Sequence, residues 1–142
     1  YALVYQLHLE NVIFTGRVDI ISYMEKLDFT ILTSISEGQP LSVLESFAAR
    51  RPCVTTDVGC CRELLNGNEE DRYGKAGYCV PPMYREGLAQ AMDQMCASRA
   101  RRLRMGENAQ KRVKAYYRKE EMIEKYRKMY QEVEEADGRN RI

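Results

Sequence analysis

No apolar run in this 142-residue chain approaches the roughly 18 residues that suggest a membrane-crossing helix, and no basic-then-apolar signal segment is present. Histidine is nearly missing: His8 stands alone, leaving too little material for a zinc site, and no metal is expected. The five cysteines (Cys53, Cys60, Cys61, Cys79 and Cys96) form no C-x-x-C pair. An odd count without framework spacing points to reduced thiols in a cytoplasmic protein. Adjacent Cys60 and Cys61 are expected as buried or inert thiols, because a disulfide demands separated Cα positions. Neither an internal repeat nor a low-complexity segment is present. A starting Met is also missing, and Tyr1 opens a helix-compatible stretch, so a fragment is expected.

What is present fits one domain with a moderate hydrophobic core: hydrophobic residues make up 44% and charged residues 30%. The formal net charge of +1 conceals an asymmetry. Residues 1–98 carry 8 basic and 13 acidic side chains, whereas residues 99–142 carry 14 basic and 8 acidic. The densest basic stretch is Arg99-Ala100-Arg101-Arg102-Leu103-Arg104. It could touch an anionic membrane surface, but a solvated helix face is the default. It lacks the interleaved aromatics of a nucleic-acid module, so no nucleic-acid partner is expected.

Short apolar runs alternate with helical patterns along the chain. Asn11 to Gly16 reads as a buried strand stopped by glycine, Ile20 to Lys26 as a short helix, and Asp28 to Thr33 as a second strand. A helix from about Pro40 to Ala49, a strand at Pro52 to Thr56 and a strand at Gly77 to Val80 follow. This alternation predicts an α/β fold, a Rossmann-like three-layer parallel sheet with its ligand crevice along the carboxyl edge. Beyond Pro82 the pattern is helical. Leu88, Met92 and Met95 share one face, as do Met105, Ala109, Val113 and Tyr116, and then Met122, Tyr126, Met129 and Val133. Each stripe is expected to face the core, although partner-binding helices would carry the same pattern. The chain thus divides into a partial Rossmann-like part (1–98), a helical carboxyl-terminal extension (99–137) and a frayed tail (138–142).

Ser34 to Ala49 carries the chemistry. A strand ends near Thr33, and a short loop with Gly38 allows a sharp turn and close backbone approach to a ligand. Pro40 suits a first helical position. The N–H groups of the first helical turn, at its positive end, form a natural phosphate site. Glu37 stands in the loop. Glu45 stands one turn beyond Leu41 in an otherwise apolar helix, where it either leans toward the crevice to accept sugar hydroxyls or faces solvent and pairs with Arg50 or Arg51. Spacing alone leaves both readings open. Asp57-Val58-Gly59 reads as a turn.

Glu37-x7-Glu45, with Gly38-Gln39-Pro40-Leu41 after the first Glu and Ala48-Ala49 after the second, resembles the donor-site motif of retaining family 4 glycosyltransferases. Arg51 to Gly59 and Arg62-Glu63-Leu64-Leu65 resemble the strand, turn and helix that follow it. Ser34 to Pro40 and Asp57 to Leu64 are most similar to the branch typified by the Pel exopolysaccharide glycosyltransferase. The resemblance runs from about Asn11 to Tyr130, and it implies the carboxyl-terminal domain of a GT-B fold.

It also implies roles. Glu37 would contact the transferred sugar and Glu45 the ribose hydroxyls. Gly38, Gln39, Pro40 and Leu41 would form the diphosphate loop, and Gly16-Arg17-Val18 would lie beside the nucleobase. The implied donor is UDP-glucose, with no metal or other cofactor (no D-x-D triplet is present). The implied setting is exopolysaccharide or glycoconjugate synthesis in the cytoplasm, at or near the inner face of the membrane. The family's acceptor-binding amino-terminal domain and its basic diphosphate clamp have no counterpart here, so the fragment by itself is expected to be inactive. The last helix resembles one that packs across the interdomain cleft, and without that partner its apolar face would promote self-association. Arg50 replaces the family's usual glycine where the chain turns with positive φ, so the helix either ends differently or carries modest strain. The competing class is a non-catalytic nucleotide-sugar-binding or protein-interaction domain.

Overall fold

The structure, a computed structural model, describes residues 2–139. The expected frayed tail therefore falls largely outside the described residues. Element order is α1 (Ala2–Gln6), α2 (Ile20–Met24), β1 (Thr30–Leu32), α3 (Leu41–Ala48), β2 (Cys53–Thr56), α4 (Cys61–Asn66), β3 (Gly77–Val80), α5 (Arg85–Cys96), α6 (Arg99–Tyr116) and α7 (Lys119–Arg139). The strands form one parallel sheet in the order β1-β2-β3. Thr30 is in register with Cys53, and Cys53 with Gly77. Gly77 is required there: a Cβ would lie 1.8 Å from the Cys53 carbonyl oxygen.

Central β2 is buried along its whole length, and its alternation builds two half-cores. Cys53 points into a cluster with Val43 and Phe47 of α3, Leu64 and Leu65 of α4, and Ala109 of α6. Val54 points the other way, to Val80, Ala91, Met95 and Met105. Helix α6 contributes to both clusters and lies close on α3, because Gly106 has no side chain: a Cβ would meet the Arg50 carbonyl oxygen at 2.1 Å.

A buried arginine ties the helices to the loop before β3. Arg112 of α6 is 1% exposed and pairs through its guanidinium with both carboxylate oxygens of Asp71. It also donates to the carbonyls of Leu64 at 2.9 Å, Leu65 at 3.3 Å and Gly74 at 2.8 Å. Three helix-end or loop carbonyls and a buried carboxylate are thereby satisfied by one side chain.

Several expectations need correction. Residues 11–16 form no strand, and Val12, Ile13 and Phe14 are exposed. A strand exists only where a neighbour completes its ladder, and among the described residues none lies beyond β1. Pro40 is the residue before the first helical turn, with φ −71° and ψ 113°, rather than the first helical residue. The stripe Met122, Tyr126, Met129 and Val133 is not packed into the core: each is more than half exposed, and Met122, Tyr126 and Met129 line an open groove opposite Leu41 and Leu44 of α3 instead. The basic stretch is only partly a solvated face. Arg102 folds inward to donate to the carbonyls of Met95 and Cys96 at 2.9 and 2.8 Å, and Arg101 donates to the Tyr78 hydroxyl at 3.1 Å.

Candidate functional site

Two loops meet at the carboxyl edge of the parallel sheet, where unpaired backbone groups and helix amino termini converge. After β1 the loop 33–39 leads into α3, and after β2 the turn 57–60 leads into α4. These two segments are tied together. The Cys60 N–H donates to the Gly38 carbonyl at 3.0 Å. Gly59 turns with φ +53°, and a Cβ there would lie 2.3 Å from the carbonyl oxygens of both Glu37 and Gly38. The close approach of the two turns therefore needs glycine twice over, for conformation and for space.

Glu37 is half-buried and accepts a hydrogen bond from the Ser34 hydroxyl at 2.6 Å. The Ser34 carbonyl accepts from Thr56 Oγ1 at 2.5 Å. Gly38 and Gln39 are exposed, and Pro40 is buried beneath them. Pro40 caps α3 without a side-chain hydrogen bond, so the Leu41 and Ser42 N–H groups have no acceptor recorded among the described residues. Unpaired N–H groups at the positive end of a helix can hold an anion.

Glu45, one turn further along α3, is exposed. It pairs with neither neighbouring arginine. Arg50 binds Glu107 of α6 at 2.9 Å, and Arg51 donates to the carbonyls of Met24 and Glu25 at 3.0 and 2.8 Å. Glu45 instead borders a groove of about 570 Å³ shared with Ile20, Ile21 and Met24 of α2. Gln39, Leu41 and Leu44 border a different groove of about 640 Å³, whose other wall is α7 with Met122 and Tyr126. Glu37 and Glu45 thus share a loop-helix unit without sharing one enclosed cavity.

Gly16, Arg17 and Val18 lie in an exposed irregular segment leading into α2, and Gly16 adopts φ +65°. Among the described residues no hydrogen bond joins Arg17 or Val18 to the Glu37 loop. Their link to Glu45 runs through α2, which begins at Ile20 and forms the other wall of the Glu45 groove.

Asp57, at the end of β2, receives the Arg62 side chain on both carboxylate oxygens. The Arg62 guanidinium holds the Asp57 carboxyl below its usual range. The expected Asp57-Val58-Gly59 turn is present, and this ion pair closes it. All five thiols are free. Burial pushes Cys53 up to about 12 and Cys79 up to about 11, so both stay protonated at neutral pH. Ser34, Thr56 and Arg62 carried no separate signal in the sequence beyond their places beside the motif. The Ser34 to Glu37 spacing of three residues is the one hint that the serine could reach the carboxylate.

Comparison with known proteins places the chain in a family. The family model described as "Glycosyl transferases group 1" matches residues 1–112. The N-acetyl-alpha-D-glucosaminyl L-malate synthase of Bacillus anthracis is 29% identical over 142 residues, covering 99% of this chain and 36% of that protein. The chain therefore spans about a third of the length of this relative. Sucrose-phosphate synthase from Thermosynechococcus elongatus superposes with a TM-score of 0.84 at 24% identity, over 95% of this chain and 33% of that one. A TarM variant from S. aureus, solved in complex with fondaparinux, alpha-GlcNAc-glycerol and UDP, superposes with a TM-score of 0.76 at 22% identity, over 91% of this chain and 26% of that one.

Proposed function

This chain belongs to the group 1 glycosyl transferases, and from that membership we propose that it is the donor-binding part of a retaining hexosyltransferase acting on a nucleotide-diphosphate sugar, UDP-glucose first among them. The observation that carries the proposal is the unit Glu37 to Glu45. It joins a carboxylate-bearing loop, unclaimed N–H groups at the start of α3 and a second carboxylate one turn on that no arginine neutralises.

In this reading the diphosphate sits over residues 38–41, held by backbone N–H groups of the loop and first helical turn (Pro40 has none to give). Glu37 accepts from hydroxyls of the transferred sugar and Glu45 from the vicinal hydroxyls of the ribose, since an ionised carboxylate offers only acceptors. Gly16 to Val18 flank the base. Catalysis then rests on holding the donor and on stabilising the departing diphosphate, with no metal required. The acceptor site and the cationic clamp on the diphosphate belong to a longer parent. That parent works in the cytoplasm or at the membrane's inner face, in exopolysaccharide or glycoconjugate synthesis of the Pel type. That a solved relative in fold binds UDP supports the choice of nucleotide.

Titration of UDP and UDP-glucose into the chain, followed by calorimetry or ligand-observed NMR, tests this reading. Both should bind, and Glu45→Ala should weaken both by about tenfold, the loss expected when a charged acceptor is removed from ligand hydroxyls. Absence of binding at millimolar concentration, or a Glu45→Ala variant indistinguishable from the parent, would sink it.

A further inference from the structure

The Glu37 loop is anchored from the strand beside it, and the anchorage reaches the carboxylate itself. Ser34 Oγ donates to Glu37 Oε1 at 2.6 Å. Oε2 takes no hydrogen bond among the described residues and is the oxygen left for a ligand. The serine is in turn fixed. Its carbonyl accepts from the hydroxyl of Thr56, which is buried at the last position of β2. The backbone on the far side of the loop is fixed by the Cys60 N–H to the Gly38 carbonyl and by the close seat that Gly59 provides.

We propose that Ser34 is a positioning residue for Glu37. It donates to one carboxylate oxygen so that the other faces the donor sugar, with Thr56 and Gly59 as its supports. The inference rests on the reading of Glu37 as the sugar-contacting carboxylate. A glutamate side chain has several rotatable bonds, and ordering them before the ligand arrives removes that entropic loss from the binding step. A hydroxyl donor also occupies one lone-pair site of the carboxylate, which narrows the directions from which a sugar hydroxyl can approach. Exposure makes such a device necessary: Gly38 and Gln39 are open to solvent and cannot hold the side chain by packing.

The test compares the gain in affinity from UDP to UDP-glucose in the chain and its variants. Ser34→Ala should reduce that gain by about tenfold, the effect of losing a hydrogen bond to a charged group. The affinity for UDP itself should stay within about twofold, because the diphosphate contacts are backbone groups. Ser34→Thr, which keeps the hydroxyl, should restore the gain. The carboxyl carbon resonance of Glu37, followed by isotope-edited NMR, should move in Ser34→Ala and return in Ser34→Thr.

An unchanged gain with an unmoved Glu37 resonance overturns the inference. So does an equal loss for both ligands accompanied by a lowered melting temperature, since that pattern marks a purely structural serine. A parent chain that binds neither ligand overturns the site reading before any variant is made. A parent that binds UDP and gains nothing from the sugar removes the role of Glu37, and this inference with it.

Discussion

Arg112 shows how much one side chain decides. It is fully enclosed, it neutralises the buried Asp71 and it satisfies carbonyls from α4 and from the loop at Gly74. Arg112→Met keeps most of the volume and strands a buried carboxylate, so stability should fall by about 3–5 kcal/mol in urea denaturation. Adding Asp71→Asn should recover part of the loss, because the charge left without its partner is then gone. Neither residue announced itself in the sequence, where Arg112 looks like one more basic residue of a charged helix and Asp71 like part of an acidic loop. They are 41 positions apart, and only the tertiary fold, which brings α6 beside the loop between α4 and β3, puts them together. Glu45 illustrates the converse. Its place in the motif was legible, but whether Arg50 or Arg51 would claim it depended on where α6 and α2 offered those arginines other partners.

At the scale of the element, the end of α3 bears out an expectation made from one residue. The helix closes at Ala49, and Arg50 follows with φ +59°. A non-glycine residue there costs about 1 kcal/mol relative to glycine. The ion pair that Arg50 makes with Glu107 is solvent-exposed and contributes little. Arg50→Gly should therefore raise stability by about 0.5–1 kcal/mol, read as a higher urea midpoint at unchanged slope. A lower midpoint would show that the Glu107 pair outweighs the strain. The strand expected at residues 11–16 failed for the opposite reason: its composition suits a strand, but a strand is a relation between neighbours and no neighbour is present among the described residues. Helix α7 formed as its periodicity predicts, and its stripe lines an open groove rather than the core because periodicity fixes a face without fixing how closely it is covered.

For the whole molecule, the half-core that Cys53 enters sets the response to pH, since Cys79 and Tyr117 pack against the same cluster. Cys53 is pushed up to about 12 and Cys79 to about 11, chiefly by burial, and Tyr117 moves in the same direction for the same reason. Unfolded thiols ionise near ~8.5. Groups whose folded values are raised contribute stability that is complete below the unfolded value and lost as pH climbs toward the folded one. Stability should thus be level to about pH 8 and decline from about pH 9 upward. Urea midpoints across pH 7–11 in reducing buffer would show this, with a flatter decline in Cys53→Ala. An alkylating reagent at neutral pH should label exposed Cys96 well before Cys53 or Cys61.

The sequence by itself determined the order of the strands and helices from β1 onward, the parallel α/β class and the loop-and-helix unit from Glu37 to Glu45. Each rests on local chemistry: β-branched runs, helical periodicity, and glycine and proline at turns. The tertiary structure alone decided which runs became strands, which apolar face stayed bare, and which side chains hold the site loop in place. Those outcomes depend on partners distant along the chain, such as Thr56 for Ser34, Gly59 for Glu37 and Arg112 for Asp71. A hydrogen bond or a buried charge has no meaning until its partner is at hand.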